Sequence, residues 1–178
     1  MSKNHYQFIP ELEFPCGEVY NYGMSNKEHF RKDRGLLGFS GFVLPYRYTK
    51  ILNDQILLDI VSYNNATPLF TRGQFYVLTE EYPTHTDPFR DCSLNFVLSG
   101  DAETRWNDGT ICEYVPHMAT LFNTQIPHKV SAPEGDEPRV AVSFTVSINY
   151  HRFVNLYKND MLFTDHPVIY QRESIIPE

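Results

Sequence analysis

From Gly73 onward the chain is cut by turn-forming residues into short runs rich in β-branched, aromatic and aliphatic side chains: QFYVLTEEY, SLNFVLS, ETRW, TICEYV, ATLFN and RVAVSFTV. Strands this short and this closely spaced pack as a β-sandwich or barrel. The last run, Arg139 to Val146, alternates cleanly, with Arg139, Ala141, Ser143 and Thr145 on one face and Val140, Val142, Phe144 and Val146 on the other. Gly100-Asp101 and Asn107-Asp108-Gly109 read as hairpin turns joining neighbouring antiparallel strands. Ahead of this region, Tyr46 to Tyr63 places Ile51, Leu52, Ile56, Ile60 and Tyr63 near a helical period, with Leu57 and Leu58 widening the stripe, which predicts a helix with a buried face. After Ser147, taken as an N-cap, Ile148, Phe153, Leu156 and Tyr157 recur at helical spacing and predict a closing helix outside the sheet.

A chain of 178 residues fits one domain with a sizeable core. No repeat or flexible linker interrupts it, and the 15% aromatic share marks an ordered globule. The net charge of −7 offers no broad attraction for a phosphate backbone, so nucleic acid is not expected as a partner. Three cysteines, Cys16, Cys92 and Cys112, share no CxxC spacing and suit a reducing compartment better than a disulfide framework; they read as buried apolar residues. The opening MSKNHYQFIPELEFP lacks an apolar run of signal-peptide length, and no stretch is long and apolar enough to span a bilayer. A cytoplasmic protein without membrane contact is the expectation.

Of seven histidines, only His85 is followed two positions later by a carboxylate, Asp87. Composition alone would produce about one such pair, so the pair gains meaning only from its companions. His128 lies in FNTQIPHKV, several predicted strands further on, and Arg139 follows on the alternating strand. Two imidazoles and one carboxylate on one face of a metal leave three coordination positions open, which is what non-heme Fe(II) needs to bind a co-substrate and O2 together. An inward guanidinium then has a use, because it grips the far carboxylate of a dicarboxylic co-substrate through two parallel hydrogen bonds.

The ordered set of His85-Thr86-Asp87, Pro127-His128 and Arg139 resembles the Fe(II)- and 2-oxoglutarate-dependent oxygenases over roughly Phe75 to Val146, and looks closest to small prolyl and aspartyl hydroxylase-like members. The resemblance implies a mainly β chain with flanking helices, a double-stranded β-helix of jelly-roll or cupin-like type. Its expected parts are an N-terminal helical and support region (1–74), a jelly-roll core (75–147) and a C-terminal helix and tail (148–178). It also implies that His85, Asp87 and His128 ligate the iron and form the catalytic centre, and that Arg139 binds 2-oxoglutarate. Many members carry Ser or Thr two residues after the arginine, where this chain has Ala141. Ser143, Tyr76 or Tyr82 would therefore assist the arginine, and Asn95 would face the chelating end of the co-substrate. The implied reaction hydroxylates an unactivated C–H bond of an amino acid or peptidyl side chain, releasing succinate and CO2. Asp87 stands where halogenating relatives have a small residue, and Thr145 stands where nucleic-acid demethylases carry a second arginine.

Two rivals remain open. A cupin-like metalloenzyme would use the triad without 2-oxoglutarate, and a non-catalytic jelly-roll protein would use it for binding or assembly only. Several other residues take bland readings. His117 lacks a companion carboxylate, the basic run Arg31-Lys32-Asp33-Arg34 reads as solvated surface, and GLLGFSGF lacks the lysine and threonine of a phosphate loop. Trp106 serves sheet packing as readily as a pocket, and surface pairing of Arg139 with Asp136 or Glu137 is the alternative to its anion role.

Overall fold

The computed structural model describes residues 5–32, 38–57 and 68–163. The elements in order are β1 (Tyr6–Phe8), α1 (Cys16–Ser25), a 3₁₀ turn (Lys27–His29), β2 (Arg31–Lys32), β3 (Phe39–Val43), α2 (Tyr46–Asn53), β4 (Phe70–Leu78), β5 (Tyr82–His85), β6 (Cys92–Ser99), β7 (Glu103–Trp106), β8 (Ile111–Glu113), β9 (Thr120–Asn123), β10 (His128–Val130), β11 (Arg139–Val146) and α3 (Tyr150–Lys158). Seven strands form one antiparallel sheet in the order β1-β9-β6-β11-β4-β3-β2, and four form a second in the order β5-β10-β7-β8. The fold is a double-stranded β-helix with flanking helices, as expected.

The alternation of β11 explains how the layers stack. Val140, Val142, Phe144 and Val146 join Phe75, Val77, Leu94, Phe96 and Leu98 in the main core, covered by Val19 of α1, Leu52 of α2 and Phe153 of α3. The opposite face turns toward the four-stranded sheet. Both faces of β11 are thus covered, which is why it is buried almost throughout. Each buried aliphatic or aromatic side chain contributes about 1.5–3 kcal/mol, so the outer, apolar face supplies the stability and leaves the inner face free to be polar. A smaller cluster of Trp106, Cys112 and Phe122 closes the barrel on the β7–β8 side, so Trp106 serves packing. At Gly41 a methyl group would stand 2.2 Å from the Phe75 carbonyl oxygen, so only glycine lets β3 lie this close to β4, opposite Tyr76.

Several expectations are corrected. The helix beginning at Tyr46 ends at Asn53, whose side chain accepts from the Phe70 N–H at 2.9 Å and donates to its carbonyl at 2.8 Å. Residues 58–63 of the expected helix lie outside the described residues. The closing helix is capped by Asn149, whose Oδ1 accepts from the Arg152 N–H at 2.9 Å; the backbone N–H of Ser147 is bonded to Leu69 instead. Asn107-Asp108-Gly109 does join the β7–β8 hairpin, with Gly109 at φ +87°. Gly100 turns the chain between sheets, since β6 and β7 are not neighbours. The N-terminal region is not only helical, for it supplies β1, β2 and β3. Within the basic run, Arg31 alone has a described side chain, and it is exposed.

Candidate active site

Strand pairing does what sequence distance hides. β10 lies between β5 and β7, and His128 is the direct cross-strand partner of His85. Directly opposed residues share a face with Cβ atoms about 5 Å apart, and the two imidazole rings stand 4.5 Å apart between centroids. Asp87, just past the end of β5, brings Oδ1 to 3.7 Å from His85 Nε2. One ligand atom from each of His85, Asp87 and His128 lies within 4.8 Å of the others, and this is the candidate metal group among the described residues.

The imidazoles are prepared as ligands. His85 Nδ1 lies 2.8 Å from the Pro83 carbonyl, and His128 Nδ1 lies 2.8 Å from that of Ile126. A ring nitrogen against a carbonyl must carry the proton, which leaves each Nε2 lone pair free for a metal. Burial lowers the pKa of His128, with His85 adding to the effect, so the neutral form that coordinates is favoured.

Asp87 is fixed by residues that sequence reasoning did not single out. Arg90 Nε donates to Asp87 Oδ2 at 2.7 Å, leaving Oδ1 toward the histidines, and its Nη1 donates to Ser143 Oγ at 2.9 Å. The turn from Asp87 to Arg90 is clamped by the segment leading to His128. Asp87 N–H donates to Thr124 O at 3.0 Å, Thr124 Oγ1 donates to Arg90 O at 2.7 Å, and Gln125 Nε2 donates to the carbonyls of Asp87 and Arg90 at 2.9 and 2.8 Å. Arg90, three residues after Asp87, was the one accessible sequence signal for this brace. Removing a group that orients a metal ligand costs about 10–100-fold in affinity, so Arg90→Ala is expected to weaken Mn(II) binding by that factor while leaving the melting temperature of the metal-free protein within a few degrees. Paramagnetic titration and a thermal melt check the two halves.

Arg139 lies on the inner face of β11 with 0% exposure. Its guanidinium carbon sits 4.0 Å from the centre of the Tyr114 ring, and Nη2 reaches Tyr76 Oη at 3.5 Å. Neither Nε nor Nη1 has an acceptor among the described residues. The surface pairing with Asp136 or Glu137 is therefore not found. Tyr114 and Thr104, whose side-chain oxygens are 2.5 Å apart, complete this end; burial pushes the Tyr114 hydroxyl up to about 12, so it stays protonated and can donate. Tyr82 packs edge-on against the His85 ring at 4.3 Å.

A cavity of about 440 Å³ is lined by His85, Asp87 and His128 together with Tyr76, Tyr114, Asn95 and Ser143; Arg139 is not itself on its wall but contacts Tyr76 and Tyr114, which are. Tyr76 stands at the Arg139 end. Ser143, expected to assist Arg139, instead accepts from Arg90 further along β11, where it pairs with Asn95, whose Nδ2 donates to Ser93 Oγ at 2.9 Å. Phe89, 96% exposed, stands at the rim. His117 takes φ +64° and bonds to the backbone of β6, apart from the metal group. The three cysteines are free and buried, and burial raises every thiol pKa, to about 11 for Cys16 and about 12 for Cys92 and Cys112, which keeps them protonated.

No protein-family model matches the sequence, and no curated protein does. Solved structures do resemble the fold. A prolyl hydroxylase from Trichoplax adhaerens, in complex with a hypoxia inducible factor oxygen degradation domain peptide, is 14% identical, with 81% of this chain matched to 84% of that one at a TM-score of 0.56. A prolyl-4-hydroxylase from Pseudomonas putida is 12% identical over 83% of this chain and 95% of its own, at 0.54. SnoN, a non-heme α-ketoglutarate-dependent epimerase from nogalamycin biosynthesis, is 11% identical over 79% and 77%, at 0.53. The chain thus has the fold of the Fe(II)- and 2-oxoglutarate-dependent oxygenases. No helix among the described residues is long and apolar enough to cross a membrane.

Proposed function

We propose that this protein is an Fe(II)- and 2-oxoglutarate-dependent oxygenase that hydroxylates an unactivated C–H bond of an amino acid or peptidyl side chain. The donor set fits the metal, since two imidazoles and one carboxylate with ligand atoms within 4.8 Å of one another are the donors that ferrous oxygenases use. Bound iron would bring O2 and the keto acid together, converting the latter to succinate and CO2 as oxygen is inserted into the substrate. The observation that carries the reading is Arg139, a fully buried cation with two nitrogens lacking acceptors, on the inner face of the same barrel. Burying a charge without a partner is expensive, and a bound carboxylate supplies the partner.

In this reading Arg139 and the Tyr76 hydroxyl, with Tyr114 and Thr104 beside them, hold the far carboxylate of 2-oxoglutarate. Asn95 and Ser143 face its chelating end, and Arg90 keeps Asp87 presenting Oδ1. The aromatic walls exclude water from the Arg139 end and strengthen its grip. The three unpaired cysteines accord with a cytoplasmic setting. The experiment is anaerobic titration of the protein with Fe(II) and 2-oxoglutarate. A visible metal-to-ligand charge-transfer band is expected to appear in proportion to bound co-substrate; metal binding without the band would point to a cupin-like enzyme that does not use 2-oxoglutarate.

A further inference from the structure

The cavity has two ends of opposite character. At one end the walls are Phe39, Tyr76, Leu78, Tyr82 and Tyr114, of which Tyr76 and Tyr114 contact the Arg139 side chain behind them. At the other end the register of β4, β11 and β6 lays out two rows of side chains on one face, Gln74-Ser143-Asn95 and then Arg72-Thr145-Ser93. All six are hydrogen-bonding residues and all six line the cavity. Ser93, Asn95 and Ser143 are buried, Gln74 and Thr145 are half-buried, and Arg72 is exposed at the open edge of the cavity.

Three of the six are already engaged. Ser143 accepts from Arg90, and Asn95 donates to Ser93. Arg72, Gln74 and Thr145 have no side-chain partner among the described residues. The charges on the cavity wall lead to the same place. Besides the histidines, the wall carries Arg72, Arg90 and Asp87, and Arg90 is paired with Asp87. Arg72, exposed at the mouth, is the cation on this wall that no carboxylate among the described residues occupies.

The distance along the sheet makes this a separate anion position. Arg139 and Thr145 are six residues apart on one strand, roughly 20 Å at 3.3 Å per residue. A five-carbon diacid bridging Arg139 and the metal does not extend to Arg72. We infer that the primary substrate carries a carboxylate, received by the Arg72 guanidinium with the Thr145 hydroxyl and the Gln74 amide beside it. This rests on the oxygenase reading, which assigns the Arg139 end to 2-oxoglutarate. The metal group then lies between two anion positions, and the substrate, tethered by its carboxylate at one end, presents a C–H bond to the centre. Arg72 and Gln74 also border a second hollow, of about 710 Å³, lined by Tyr22, His29, Phe30 and Phe42. The carboxylate therefore meets the protein at the cavity mouth, where it can belong to a free acid or to an acidic residue of a peptide.

Calorimetry on protein loaded with Mn(II) and saturating 2-oxoglutarate tests this with three sets of probes: free L-amino acids, the same amino acids as C-terminal amides, and the blocked tripeptides Gly-Asp-Gly and Gly-Asn-Gly. At least one carboxylate probe is expected to bind about tenfold or more tightly than its neutral counterpart, as follows from hydrogen bonds to a charged group. Arg72→Gln is expected to abolish that preference and Thr145→Val to reduce it, with both variants keeping the melting shift that 2-oxoglutarate produces. Preference for free amino acids identifies a free acid as the source, and preference for the aspartyl tripeptide identifies a peptide. Equal binding of neutral probes, an undiminished preference in Arg72→Gln, or no binding of any carboxylate probe overturns the inference. If 2-oxoglutarate fails to shift the melting of the wild-type protein, the oxygenase reading is what fails, and the preference is then read on the metal-free protein.

Discussion

Arg139→Met is expected to raise the melting temperature of the protein free of metal and co-substrate, and to erase the further rise that 2-oxoglutarate produces. The two halves share one cause. A guanidinium at 0% exposure that leaves Nε and Nη1 without acceptors has given up its hydration for little more than the faces of two tyrosines. Replacing buried charge by an apolar side chain of similar length gains about 1–4 kcal/mol in comparable sites. For a domain of this size that corresponds to an upward shift of several degrees. The same cation is the one able to receive a carboxylate in two parallel hydrogen bonds, each worth about 1.5–3 kcal/mol to a charged partner. In the wild-type protein with Mn(II), 2-oxoglutarate at a hundred times its Kd adds about 2.7 kcal/mol of stability. In Arg139→Met that increment disappears, with affinity falling at least a hundredfold. A melt in four conditions, with and without metal and co-substrate, reads both effects. A variant that melts lower when free and still responds to 2-oxoglutarate would show that the arginine is structural.

Much of this arrangement was legible in the chain, for a reason that can be traced to particular residues. β11 and β6 are covered on both sides, yet one side of each faces a polar cavity, so Ser143 against Phe144 and Asn95 against Phe96 keep the alternation visible. His85 and Asp87 gain meaning from the company of His128 and Arg139 in the right order, since the pair alone is no more than composition would produce. What stayed hidden depends on contacts between distant segments. Nothing local shows that His128 pairs with His85 across two strands. The Gly100 turn has the residues of a hairpin, but local turn chemistry does not say which sheet the next strand will join. The helix that starts at Tyr46 stops where Asn53 finds the backbone of Phe70, seventeen residues on. Arg90 reads as one more surface charge until the turn from Asp87 folds back under the clamp of Thr124 and Gln125. The tyrosines around Arg139 come from β4 and from the segment after β8, with no spacing that links them.

Asp87→Ala is expected to remove metal binding to a degree that no change in a supporting residue matches, and Arg90 sets the size of the effect. With Asp87 present, Arg90 holds Oδ2 at 2.7 Å and aims Oδ1 at the histidines, so it assists the ion. With Asp87 gone, the site consists of two imidazoles beside a guanidinium that has lost its carboxylate, and that guanidinium now repels a dication at short range inside a partly desolvated cavity. The role of Arg90 therefore changes sign with its partner. Arg90→Ala should lower Mn(II) affinity in the wild-type background and raise it several-fold in the Asp87→Ala background, a coupling that a double-mutant cycle isolates. Asp87→Asn should fall between, because its amide oxygen can still accept from Arg90 while contributing no charge to the ion. The stability of the metal-free protein should change little across the series, since the Asp87 and Arg90 side chains remain 18% and 26% exposed and an ion pair so placed contributes about 0–1 kcal/mol. If Arg90→Ala lowered affinity equally in both backgrounds, the arginine would be acting on the ion by some route other than the Asp87 carboxylate, and the brace described for this site would be wrong.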